Sequence, residues 1–149
     1  MTGRYLLDTS VVSSIAPGRA DAGDPFLSWL TVRLPRTYIC SVSVFEIEQG
    51  VCKLERMGAQ ARVDTMRQWL QHLLQQFSGD RMLSMDVDVA SEAGRLSDWA
   101  WARGVHPGAA DIMIAATATV HDLTLLTYNL KHFAPLEIGA IDPTAGLPR

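Results

Sequence analysis

Three short apolar runs, Tyr5-Leu6-Leu7, Tyr38-Ile39-Cys40 and Leu123-Thr124-Leu125-Leu126, carry almost no polar alternation and lie among segments with helical spacing. A run of this kind marks a strand buried on both faces, and such strands belong to parallel sheets covered by crossover helices. The first run ends at Asp8 and reads as the first and central strand. Thr9 and Ser10 then cap a helix through Val11 to Ile15, broken by Pro17-Gly18. Asp24-Pro25 opens an amphipathic helix through Phe26, Leu27, Leu30 and Leu34, stopped by Pro35.

After the second strand, residues 37–40, Ser41 or Ser43 caps a helix containing Val44, Phe45, Ile47, Val51 and Leu54. Residues 59–77 repeat apolar positions at helical spacing and end at Ser78-Gly79-Asp80. A short strand over 82–85, a helix over 87–103 closed by Gly104, a helix over 109–121 introduced by Pro107-Gly108, a strand over 123–127 and a last strand over 138–141 complete the pattern. The expected architecture is a three-layer α/β/α sandwich with a mainly parallel central sheet of four to five strands, joined by right-handed crossovers. With 149 residues and 48% apolar composition, one core and one domain over 1–149 are expected.

A net charge of −3 provides no general basic surface for counterion release, which weighs against a simple nucleic-acid-binding module. A nuclease stays compatible, because a bound cation reverses the sign of an acidic pocket. The apolar stretches near 112–120 and 123–126 fall short of a bilayer span, and the N-terminus lacks the longer apolar core of a signal peptide, so no membrane segment and a cytoplasmic location are expected. Cys40 and Cys52 form no CxxC pair and read as two buried free thiols. Trp29, Trp69, Trp99 and Trp101 read as core or interface packing. No P-loop, GxGxxG or GxSxG is present, and the four histidines form no HxxxH or HExxH pairing.

In parallel sheets the sites gather beyond the carboxyl ends of the strands. Three acids share that address: Asp8 after the first strand, Glu46 in the first turns of the helix after the second, and Asp111 opening a late helix. Singly, each has an ordinary explanation. Asp8 or Asp111 caps a helix, and Glu46 completes a capping box with Ser43. Together they have the charge and geometry to hold a hard cation such as Mg²⁺ or Mn²⁺. Glu48 points to a different face as a surface acid, and Glu92 is a secondary site candidate.

The blocks Tyr5-Leu6-Leu7-Asp8-Thr9-Ser10, residues 41–50, residues 110–118 and Leu126-Thr127-Tyr128-Asn129-Leu130-Lys131-His132-Phe133 resemble PIN-domain proteins, specifically VapC-like toxins, in order and over nearly the whole chain. The resemblance implies a Mg²⁺- or Mn²⁺-dependent endoribonuclease, the toxin of a type II toxin–antitoxin module, hydrolysing RNA with a metal-activated water. Asp8, Glu46 and Asp111 would be the metal ligands, and the family's fourth polar site falls on Asn129. Tyr128 stands where many members carry Arg, as a base-stacking or packing residue, and Ser10 would position water or phosphate. A small antitoxin and a homodimeric state are also implied. The alternatives are a PIN-fold binding module with an impaired site, or a metal-dependent nuclease or phosphatase acting on another substrate.

Overall fold

The computed structural model describes residues 3–149. Five strands, β1 (Tyr5–Leu7), β2 (Thr37–Cys40), β3 (Met82–Leu83), β4 (Thr124–Leu126) and β5 (Ala140–Ile141), form one sheet in the order β3-β2-β1-β4-β5, every pair parallel. The first run is indeed the central strand, and the parallel three-layer expectation is met. The helices are α1 (Thr9–Ser14), α2 (Pro25–Arg33), α3 (Ser41–Arg56), α4 (Gln60–Gln76), α5 (Val87–Trp101), α6 (Ala109–Val120) and α7 (Leu130–Phe133).

The pleat sends alternate residues to opposite faces, and the two cores follow that alternation. Leu6, Cys40 and Leu125 join residues of α5, α6 and α7 in one core, whereas Tyr5, Leu7, Ile39 and Leu126 join residues of α1 to α4 in the other. Leu6 and Leu7 are wholly buried, so each contributes about 1.5–3 kcal/mol relative to exposure. That anchors the backbone on which Asp8 is mounted.

Asp24 accepts the Phe26 amide at 2.8 Å and Asp86 the Val89 amide at 2.9 Å, so these two acids are helix caps. Gly104, at φ +72°, ends the chain's passage through α5 by donating to the Trp101 carbonyl at 2.9 Å; a side chain would be strained there. The edge strands β3 and β5 are two residues each, shorter than the apolar runs. Each pairs on one side alone, and the flanking apolar residues Met85 and Ile138 are only half-buried. Among the described residues no helix is long and apolar enough to cross a membrane.

Trp101, the last residue of α5, is 63% exposed and so does not join the core. The expectation of two buried thiols fails. Cys52 is exposed while Cys40 is buried, because the apolar stripe of α3 runs through Ile47, Val51 and Leu54 and leaves position 52 facing outward. Burial pushes the Cys40 thiol up, which keeps it in the unreactive form. A thiol-reactive chromophore is therefore expected to report one rapidly modified cysteine in the native protein and two in denaturant; two in the native protein would contradict this core.

Candidate active site

The chain moves from β1 outward through β2 to β3, then returns to lay β4 and β5 on the other side of β1. A crevice opens beyond the strand ends at such a switch point. Asp8 follows β1 and Thr127 follows β4, and the Asp8 amide donates to the Leu126 carbonyl at 2.9 Å.

Asp8 occupies the N-cap of α1, and its backbone carbonyl accepts the Val11 and Val12 amides at 2.9 and 3.0 Å. Its carboxylate makes no capping bond. Instead Oδ2 accepts the Ser10 hydroxyl at 2.6 Å and the Thr127 hydroxyl at 2.8 Å. Ser10 Oγ in turn accepts the Tyr128 amide at 3.1 Å, and Thr127 Oγ1 the Asn129 amide at 2.9 Å. Each hydroxyl thus accepts a backbone amide and donates to a carboxylate, an arrangement in which successive bonds polarise one another. This relay satisfies one oxygen of a buried acid and ties the loop after β4 to the end of β1. Ser10 is therefore not a helix cap.

Thr9 is not a cap either. Its hydroxyl lies 2.7 Å from Glu46 Oε1 and 2.9 Å from Ser43 Oγ. A hydroxyl has one hydrogen; the carboxylate, an acceptor only, takes it, and Ser43 donates to Thr9. The N-cap of α3 is Cys40, with no side-chain capping bond, so the expected capping box of Ser43 and Glu46 is absent. Ser41 accepts the Met85 amide at 3.1 Å. Glu46 is turned to the crevice from the second turn of α3.

Asp111 stands in the first turn of α6, whose N-cap is Gly108; it does not cap the helix. His132 Nδ1 lies 3.2 Å from Asp111 Oδ2. Burial pushes the Asp111 carboxyl above the ordinary range, His132 opposes this, and the Asp8 charge adds to it. The main cause is burial, and the Asp8 charge adds to it from across the crevice.

Asn129 is exposed at the N-cap of α7, again with no side-chain capping bond. Tyr128 is half-buried against the core of α1 to α4. Asp8, Glu46, Asp111, Ser10, Tyr128 and Asn129 line one open pocket of about 460 Å³ together with Thr9, Ser13 and Arg19. Six of the seven candidates singled out in the sequence thus line one pocket. Among the described residues no three His, Cys, Asp or Glu side chains close on a common point to hold a metal. The donors are nonetheless oxygens of carboxylate, amide and hydroxyl, the set suited to Mg²⁺ or Mn²⁺. Mg²⁺ needs no all-protein cage, since one or two carboxylates, water and substrate phosphate complete its shell.

Glu92 does not join them. It pairs with Arg95 and lines a cavity with Thr124 and Gly139 at the amino edge of the sheet. Thr127, Ser43 and Arg19 were not anticipated. Ser43 reads as a helix cap and Thr127 as part of the block that resembles the family, neither with a carboxylate partner of its own, and Arg19 has no signal beyond its place in a turn.

The PIN domain matches residues 5–135. Toxin FitB of Neisseria gonorrhoeae is 30% identical over 139 residues, 93% of this chain and 96% of that protein. A VapC ribonuclease of Sinorhizobium fredii is 27% identical over 139 residues, with the same coverage of 93% and 96%. The solved structure of FitAB bound to a DNA fragment aligns at a TM-score of 0.73 and 29% identity, covering 97% of this chain and 98% of that one.

Proposed function

The chain belongs to the PIN domain family, and from that premise we propose that it is a metal-dependent endoribonuclease, the toxin of a toxin–antitoxin module. The observation that carries this reading is the single pocket lined by Asp8, Glu46 and Asp111 at the carboxyl edge of the sheet. The similarity to a toxin and to a VapC ribonuclease supports the choice of RNA and of a toxin's role. Single-stranded or looped RNA is the substrate class, because an open crevice suits unstacked strands.

Asp8, Glu46 and Asp111 would hold Mg²⁺ or Mn²⁺ together with water and substrate phosphate, with Asn129 on the adjoining wall. Such a cation supplies a usable water nucleophile at neutral pH and offsets charge developing on phosphorus. The chain's own work is orientation. Ser10 and Thr127 fix Asp8 through Oδ2, which leaves Oδ1 toward the crevice; Thr9 fixes Glu46 through one oxygen in the same way. Asn129 supplies a neutral amide where a carboxylate would add charge, so fewer phosphate-repelling groups face the strand.

A small antitoxin that covers the crevice, a homodimer and a cytoplasmic location belong to the same reading, the antitoxin supported by the similarity to FitAB. The purified chain, freed of any partner, is expected to cleave single-stranded RNA with Mg²⁺ or Mn²⁺ and to stop in chelator. Undiminished cleavage in chelator would overturn the metal dependence.

A further inference from the structure

A second cavity of about 300 Å³ adjoins the carboxylate pocket and shares Asp111 with it; its walls include His106, Gly108, Lys131 and His132. The geometry points to this cavity as the seat of the nucleotide next to the cleaved bond on a single-stranded RNA, an inference that rests on the ribonuclease reading. Lys131 takes the neighbouring phosphate and His106 stacks on the base.

Four observations lead there. Asp111 lines both the carboxylate pocket and the second cavity, so a strand leaving past that residue enters the second cavity. Lys131 is exposed, and among the described residues no carboxylate pairs with it. In a chain of net charge −3, an unpaired ammonium beside an acidic pocket is where a phosphate finds attraction. His106 is exposed at the rim, and Trp101 meets it edge to face with ring centroids 4.7 Å apart. A large indole left in water gains little by itself; here it braces an exposed imidazole at the cavity rim, and stacking on such a ring is the usual way unpaired bases are held.

The test is the affinity of the full-length chain for a short labelled single-stranded RNA, measured by fluorescence anisotropy with Mg²⁺, on an Asp8→Asn background that stops cleavage. Lys131→Ala is expected to weaken binding several-fold and to flatten the dependence of log Kd on log salt by about 0.7, the contribution of one phosphate on a single strand. Lys131→Arg restores both. His106→Ala is expected to weaken binding about tenfold, and His106→Phe to restore it, since stacking requires a ring and not an imidazole. Lys53→Ala, at the far end of α3, serves as the control for net charge. Wild-type protein that neither binds nor cuts RNA defeats the ribonuclease reading itself. If the wild type cuts RNA, but Lys131→Ala and His106→Ala bind as tightly as their parent, or Lys53→Ala loses as much as Lys131→Ala, the subsite is overturned alone.

Discussion

Asp8→Asn is expected to lower RNA cleavage by about a thousandfold or more, corresponding to about 4 kcal/mol of transition-state stabilisation, while the protein melts no lower than the wild type. The two effects part because of how Asp8 is bound. Both hydroxyls donate to the same oxygen, Oδ2. An asparagine with its carbonyl oxygen at that position keeps both bonds and turns its amide toward the crevice. What disappears is a buried negative charge that repels Asp111. Relief of that repulsion is expected to leave the melting temperature at or above the wild-type value. Sites arranged for reaction commonly gain stability when their charges are removed. Cleavage within threefold of wild type, assayed beside a melting curve, would remove Asp8 from the chemistry; lost cleavage with a much lower melting temperature would mean that the fold had been damaged instead.

Thr127→Val is expected to destabilise the protein by about 1–3 kcal/mol, the cost of an orphaned buried polar group, and to slow cleavage as well. Valine matches threonine in shape, so the wholly buried position stays filled. It can neither accept the Asn129 amide nor donate to Asp8. Asp8 keeps one hydroxyl, from Ser10, and the turn that sets Asn129 loses its internal fixture. Thr127→Ser retains the hydroxyl and should recover most of the activity, losing only a methyl contact. Denaturant melts of the three forms check the stability, and cleavage rates the coupling. A valine variant as stable as wild type would show that the relay does not hold the loop.

Those residues also show where sequence reading stops. Strands buried on both faces advertise themselves as unbroken apolar runs, so β1, β2 and β4 and the parallel order were legible before any coordinates. The address of Asp8, Glu46 and Asp111 was legible for the same reason, because each follows a strand end or opens a helix. Their hydrogen bonds were not. Thr9, Ser10 and Ser43 have the composition of helix caps, and local sequence offers no way to know that acids from other elements take their hydroxyls first. Thr127 resembled any strand threonine until β4 paired with β1. Glu92 misled for the opposite reason: an acid on an amphipathic helix looks alike at either end of a sheet.

The hydrogen bond from Thr127 to Asp8 spans 119 positions of the chain, and it closes only when the first and fourth strands lie side by side. Such distant pairings form late, since the loop entropy they require must be overcome before they return any stability. During translation the emerging polypeptide holds Asp8 and Glu46 before Asp111, Thr127 and Asn129 have been added, so the crevice those residues build is completed only when the last strands of the sheet are in place.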